Sequence, residues 1–251
     1  MADLDNTLLY SYKHAREGDL CVEWLKGKEQ GYMTKAAFEK LKALQSGGGV
    51  IPVTSRSIEQ YGRIQLPVLP KYAIVANGGW LLVDGKPDEA WRKGSEAYIF
   101  PYLAEFARLE EALIKSEQFI RVRMVDETFL FAYCKDGVEA QEAAGRYAAE
   151  TPLKVEASGK KVYFFPPMIN KGQACMRLRE LLGVKNAIAA GDSSIDAPML
   201  SVAEEAVVPK GYPKAFIASG VCIHECTDGN FSEFVLKTVE EFFSEKRVLK
   251  R

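Results

Sequence analysis

Met1-Ala2-Asp3-Leu4-Asp5-Asn6-Thr7 opens the chain, and its two aspartates organise the reading of everything after them. In an extended segment, residues i and i+2 point the same way, so Asp3 and Asp5 can converge on one small volume. Two carboxylates that close repel each other, and one pKa rises unless a cation sits between them. A hard divalent ion such as Mg2+, held by one or two carboxylates plus phosphate oxygens, relieves that repulsion. One carboxylate can then attack as a nucleophile while the other handles protons. Taken alone, the pattern is weak, and acidic-polar N-termini are usually just solvated tails.

The 251 residues make one large domain or a domain with an insertion, and 47% hydrophobic residues suffice for a sizeable core. A net charge of −1 provides no global field for nucleic acid or an anionic membrane. No basic-then-apolar signal segment is visible, and no apolar run reaches the ~18 residues of a membrane span. The five cysteines are odd in number and scattered. Cys222, His224 and Cys226 lack a second ligand pair at zinc spacing. The expectation is a cytoplasmic protein with reduced, mostly buried thiols.

Outward from the first loop, the short apolar pieces around Gly27 suit a small hairpin. Thr34 suits an N-cap for a helix to about Gln45, stopped by Gly47-Gly48-Gly49. Val50–Val53 reads as a buried strand ending at Thr54-Ser55-Arg56, with a helix from Ser57. Tyr72–Ala76 is another strand, ending in Asn77-Gly78-Gly79. Trp80–Val83, the turn Asp84-Gly85 and a return to Trp91 read as a hairpin. Strands alternating with helices, with polar residues at the strand ends, imply a parallel sheet carrying ligand groups at its carboxyl edge.

The pattern changes between about 93 and 166. A helix from Ser95 precedes strands at Phe119–Val125 and Phe129–Cys134. A second helix, Val138–Ala149, precedes strands at Leu153–Glu156 and Lys161–Phe165. Helix-strand-strand occurs twice, as in a two-layer α/β module inserted into the first domain. The expected division is 1–84 with 167–251 as a Rossmann-like core and 85–166 as the insert. The parallel pattern then resumes with a helix from Asn170-Lys171-Gly172 and a strand at Asn186–Ala190. That strand ends at Gly191-Asp192-Ser193-Ser194-Ile195-Asp196. Two short strands and a closing amphipathic helix, Phe231–Arg247, complete the chain.

Asp3/Asp5, Thr54, Lys171 and Asp192/Asp196 therefore stand at strand ends or nearby loops. Each has a plain alternative: a strand end for Thr54, a solvated helix start for Lys171, helix caps for Asp192 and Asp196. Together and in this order, the set resembles the haloacid dehalogenase-like phosphatase superfamily. Its motifs are Asp-x-Asp-x-Thr/Val, a strand-end Thr or Ser, a Lys, and Gly-Asp-x-x-x-Asp. The doubled helix-strand-strand insert is similar to the C2B cap of the Cof-like and sucrose-phosphatase-like branch. Asn77-Gly78-Gly79 resembles the segment those proteins carry just before the cap.

The resemblance implies a Mg2+-dependent phosphatase acting on a small phosphate ester such as a sugar phosphate. Asp3 would take the phosphoryl group, and Asp5 would protonate the leaving oxygen and then activate water. Thr54 would bond a phosphoryl oxygen, and Lys171 would neutralise charge. Asp3, Asp192 and the backbone carbonyl of Asp5 would hold Mg2+, with Asp196 supporting them. Ser55, Arg56 and Asn77 would lie near the substrate. Arg121 and Arg123 share one face of their strand and would offer two guanidinium forks if that face covers the site; a solvated face is the alternative. A phosphomutase and a binding homologue without turnover are the competing functional readings.

One departure stands out. In the family, the first aspartate ends a central strand, and strands run ~5–6 residues, yet here only Met1 and Ala2 precede Asp3. A strand that short is expected not to fill the middle of a sheet. The start is therefore expected upstream, with a vestigial first strand as the alternative.

Overall fold

A computed structural model describes residues 1–46 and 49–248; the expected helix stop at Gly47-Gly48 lies outside them. Ala2 sits in the middle of a parallel sheet, bridging Pro52 on one side and Ala190 on the other. Its N–H donates to the Ile51 carbonyl at 2.9 Å, and its own carbonyl accepts from Val53 N–H at 2.8 Å. Asp3 N–H donates to the Ala190 carbonyl at 2.9 Å, and the Met1 ammonium donates to the Ile188 carbonyl at 2.8 Å. This corrects the expectation that so short a segment cannot occupy a sheet centre. One neighbour bonds Ala2 and the other bonds Met1 and Asp3 on either side of it, and a small buried alanine fits between them.

After the first loop come β1 (Tyr10–Ser11), β2 (Leu20–Leu25) and β3 (Lys28–Met33), ordered β1-β3-β2. Lys26 and Gly27, at φ of 52° and 75°, close the hairpin; two consecutive left-handed residues match the right-handed strand twist. Helix α1 (Lys35–Ser46) is capped by Thr34, whose Oγ1 accepts from Ala37 N–H at 3.1 Å. The segment at Pro52 and Val53 pairs in parallel with Ala2 and Ile74. A capping box of Ser57 and Gln60 starts α2 (Ile58–Gly62). β4 (Tyr72–Val75), β5 (Trp80–Val83) and β6 (Lys86–Pro87) then form an antiparallel extension.

The return strand of that hairpin is shorter than expected. Asp88 Oδ1 accepts from Trp91 N–H at 2.7 Å and opens α3 (Glu89–Ile99), so Trp91 is helical. The single helix expected from Ser95 is two, because Phe100-Pro101-Tyr102 forms a 3-10 turn before α4 (Leu103–Lys115). Proline lacks the N–H that an uninterrupted helix needs. β7 (Arg121–Val125), β8 (Phe129–Tyr133), α5 (Gly137–Ala148), β9 (Lys154–Ser158) and β10 (Lys161–Phe165) follow. Their sheet is antiparallel in the order β7-β8-β10-β9. Leu130 and Val162 pack against the helices through Leu109, Leu113 and Ala140. The opposite face packs Phe129, Tyr163 and Phe165 toward Ala76 and Ile195 of the first domain.

The chain returns through α6 (Lys171–Leu182), β11 (Ile188–Ala190), α7 (Ala197–Ser201), β12 (Glu205–Pro209), β13 (Cys222–Cys226) and α8 (Phe231–Val248). β11, β12 and β13 are parallel. Across the core the order is β6, β5, β4, Pro52–Val53, Ala2, β11, β12, β13. Leu41 with Val235 and Leu236 covers one face; Ala174, Leu178, Met199 and Leu200 cover the other. This is a Rossmann-like core with an inserted two-layer α/β cap. All five cysteines are unpaired; Cys134, Cys175 and Cys226 are buried, Cys21 is half-buried and Cys222 exposed. No helix among the described residues is long and apolar enough to cross a membrane.

Candidate active site

Three buried charges, Asp3, Lys171 and Asp196, meet at the carboxyl edge of the parallel sheet. Lys171 Nζ donates to Asp3 Oδ1 at 2.5 Å and to Asp196 Oδ1 at 2.6 Å. All three side chains are buried, Asp196 completely. Lys171 is the first residue of α6, started by Asn170, whose Oδ1 accepts from Gln173 N–H at 2.9 Å. Gly172 lets this end of the helix seat: a Cβ there would lie 2.3 Å from the Pro198 carbonyl oxygen. Burial by itself would lower the Lys171 pKa, but Asp196 and Asp3 outweigh it and raise the pKa, so the ammonium stays charged. Burial, then Asp196, Asp5 and Asp192, push the Asp3 carboxyl well above its ordinary range despite Lys171. Asp3, Asp192 and Asp196 thus gather about a single ammonium, that of Lys171.

Both oxygens of Asp196 already accept hydrogen bonds. Its Oδ2 accepts from the backbone N–H of Asp192 at 3.1 Å, and from Ser193 N–H and Oγ at 2.9 Å each. Gly191 leaves room for this, since a Cβ there would lie 2.4 Å from the Asp196 Cβ. Asp192 is thereby turned toward Asn6, whose Nδ2 donates to its Oδ2 at 3.4 Å. Burial, then the Asp196 charge, pushes Asp192 up to about 6. Asp3, Asp192 and Asp196 each offer an oxygen within 4.8 Å of the others. An under-compensated set of hard oxygen donors is what a divalent cation binds. The Asp5 carboxylate lies outside that set.

Asp5 is gripped elsewhere. Arg56 donates from Nε to its Oδ2 at 2.8 Å and from Nη2 to its Oδ1 at 2.7 Å. Burial would raise the Asp5 pKa; the Arg56 hydrogen bonds and charge overcome that and hold it below the ordinary range. The third guanidinium nitrogen, Nη1, lies 2.8 Å from Glu23 Oε1. Thr54 is fully buried, and its Oγ1 accepts from Arg56 N–H at 3.1 Å.

These residues border a crevice of about 490 Å3 between core and cap. Asp3, Asp5, Ser55, Arg56, Lys171 and Asp192 line the core side, while Phe129, Phe131, Tyr133, Lys161 and Tyr163 line the cap side. Thr54 and Asn77 lie behind this lining. Asn77, buried at φ 56°, donates from Nδ2 to the Ile169 carbonyl at 3.1 Å and so ties the strand end to the chain returning from the cap. Arg121 and Arg123 do share the core-facing side of the cap sheet, opposite Val122 and Met124, but they do not line the crevice. β7 is an edge strand of the cap sheet; Arg121 is exposed and Arg123 lies 4.0 Å from Glu59.

Sequence reasoning passed over the crevice residues that the cap does contribute. They stand at alternate positions of Phe129-Leu130-Phe131-Ala132-Tyr133 and Lys161-Val162-Tyr163, where every residue but Lys161 is apolar or aromatic, so no polar–apolar alternation marks the inward face. It also passed over Glu23, a lone acid between Val22 and Trp24 that is only 4% exposed.

No family model and no curated sequence relative matches the chain. Solved structures do. Sucrose-phosphatase from Synechocystis sp. PCC6803, in complex with sucrose and phosphate, superposes with a TM-score of 0.66 at 16% identity, covering 96% of each chain. A phosphatase of the haloalkanoate (HAD) superfamily from Bacteroides thetaiotaomicron gives 0.59 at 16% identity, over 95% of this chain and 93% of that one. Trehalose-6-phosphate phosphatase from Aspergillus fumigatus gives 0.53 at 14% identity, over 96% and 91%. The fold is that of the haloacid dehalogenase-like phosphatases.

Proposed function

We propose that this chain is a Mg2+-dependent phosphatase that hydrolyses a small phosphate ester, of the sugar-phosphate kind, through an aspartyl-phosphate on Asp3. The observation that carries the reading is the Asp3–Lys171–Asp196 triad, buried at the carboxyl edge of the sheet with Asp5 beside it at the crevice. Phosphoryl transfer needs positioning and charge stabilisation rather than elaborate covalent chemistry. A carboxylate on a sheet end with one fixed ammonium meets that need.

Asp3 attacks phosphorus with a carboxylate oxygen as the bond to the ester oxygen breaks, and a proton from Asp5 goes to that leaving oxygen. Asp5 then takes a proton from water as the water oxygen attacks phosphorus and the bond to Asp3 breaks, releasing phosphate. The proton Asp5 takes from water is the one it gives to the next leaving oxygen; Arg56 makes the protonated form a stronger acid in the first half and favours the ionised form that the second half needs. Lys171 keeps its charge beside Asp3 throughout. Asp3, Asp192 and the Asp5 backbone carbonyl would hold Mg2+, with Asp196 bracing the loop; there the ion supplies positive charge to phosphoryl oxygens. Thr54, behind the lining, fixes the Arg56 backbone through its hydroxyl.

On this reading 1–84 with 167–251 is the catalytic core and 85–166 the cap that admits substrate. The names of the solved relatives, sucrose-phosphatase and trehalose-6-phosphate phosphatase, favour a sugar phosphate. The unpaired cysteines favour the cytoplasm. The test is phosphate release from a panel of sugar phosphates and one aryl phosphate, with and without Mg2+. Release that depends on Mg2+ supports the reading, and silence across the panel sinks it.

A further inference from the structure

Glu23 is a carboxylate buried in the β2–β3 hairpin, and the chemistry assigned above leaves it without a task. Its Oε1 lies 2.8 Å from Arg56 Nη1 and 3.5 Å from Arg63 Nε. Arg56 uses its other two nitrogens on Asp5. Asp5, Arg56, Glu23 and Arg63 thus form a chain of alternating charge along the crevice wall, from the sheet edge to the hairpin side. The fork geometry matters: only a guanidinium can bind one carboxylate through two parallel bonds and present a third nitrogen to another.

The surroundings are shaped for this carboxylate. Gly31, opposite on β3, leaves space for it; a Cβ there would lie 3.1 Å from Glu23 Oε2. The hairpin is also pinned to the chain after α2, where Gln65 N–H donates to the Val22 carbonyl at 2.7 Å and Glu23 bridges Ile64. We propose that Glu23 is a positioning residue: from the hairpin it fixes the Arg56 guanidinium, and through Arg56 it sets the aim of the Asp5 carboxyl at the leaving oxygen. This rests on the phosphatase reading for its consequence, though not for the anchoring itself.

The experiment compares wild type, Glu23→Gln, Glu23→Asp and Arg56→Lys on two Mg2+-loaded reactions. One is hydrolysis of an alkyl phosphate, whose leaving oxygen needs a proton; the other is hydrolysis of p-nitrophenyl phosphate, whose leaving oxygen does not. Positioned acid–base groups are worth on the order of 100-fold or more. Glu23→Gln should therefore lower kcat on the alkyl ester by roughly 10-fold more than on the aryl ester, with KM little changed. Glu23→Asp should recover part of that loss, and the Glu23→Gln/Arg56→Lys pair should be less than additive.

A readout independent of turnover is the Arg56 Nε–H resonance, assigned by its absence in Arg56→Lys. Glu23→Gln should shift or broaden it. If Glu23→Gln does not fold, Gly31→Ala crowds the same carboxylate and serves in its place. An unchanged Arg56 resonance, or equal losses on both esters, overturns the proposal. A wild type inactive on both esters whose Arg56 resonance still responds to Glu23→Gln would end the phosphatase reading and leave the anchoring standing.

Discussion

Lys171 Nζ lies 2.5 Å from Asp3 Oδ1, joining residues 168 positions apart across the carboxyl edge of the sheet. Lys171→Met leaves two buried carboxylates without their shared cation. Removing one partner of a buried ion pair costs about 3–5 kcal/mol, and the expected outcome is a fall of that size in urea-denaturation stability together with loss of turnover. Asp3→Asn in the same background should recover part of the stability and none of the turnover.

Gly172→Ala tests how tightly Lys171 is seated. Its Cβ would overlap the Pro198 carbonyl, 2.3 Å away, which is backbone and does not swing aside. Overpacking of this kind costs about 1–3 kcal/mol. Thermal denaturation should register the loss, and activity should fall because the first turn of α6 carries the ammonium. An unaltered melting temperature would speak against the close contact.

The acidic cluster predicts a pH dependence with a definite sign. Burial and Asp196 raise Asp192 from 3.8 to about 6, and Asp3 shifts in the same direction. The folded protein therefore binds these protons more tightly than the unfolded chain. The resulting stabilisation is fully present below about pH 4 and is lost as pH rises through about 6. In chelator, the urea midpoint should be higher at pH 5 than at pH 7, by roughly 1–3 kcal/mol in stability. Mg2+ should flatten the slope, because it favours the ionised carboxylates. A slope of the same size with Mg2+ bound would remove the acidic cluster as its source.

Arg92 predicts how the cap is held. It is buried, donates from Nη1 to Thr128 Oγ1 and from Nη2 to the Glu127 carbonyl at 3.2 Å each, and lies over the Trp80 ring. Asp126, in the same turn, accepts from Ile58 N–H at 2.7 Å. Arg92→Ala removes charge-assisted bonds worth about 1.5–3 kcal/mol each at most. Amide exchange in residues 126–128 should quicken, while exchange in the β11–β13 strands stays as it was.

Much of the architecture was legible because its signals are local. Asp84-Gly85 marked a hairpin turn, Thr34 and Asn170 marked helix starts, and apolar stretches separated by turn residues marked the cap strands. What was not legible depends on who sits beside whom. Alternation placed Arg121 and Arg123 on one face of β7, but not β7 at the edge of its sheet, so their distance from the crevice could not be read. The two residues before Asp3 looked too few for a central strand, because hydrogen bonds supplied by residues 51–53 and 188–190 have no trace in the segment itself. Glu23 was hidden for the same reason: its partners Arg56 and Arg63 come from beyond the intervening α1 helix.

The central claim, that Asp3 receives the phosphoryl group, is tested most directly by trapping it. Enzyme turning over a phosphate ester with Mg2+ is quenched and reduced with borohydride, which converts an aspartyl-phosphate to homoserine. The N-terminal peptide is then sequenced by mass spectrometry. The account predicts homoserine at position 3 and aspartate at position 5, with neither residue modified when the ester is omitted. Turnover with position 3 unmodified, or with the modification at position 5, would contradict it.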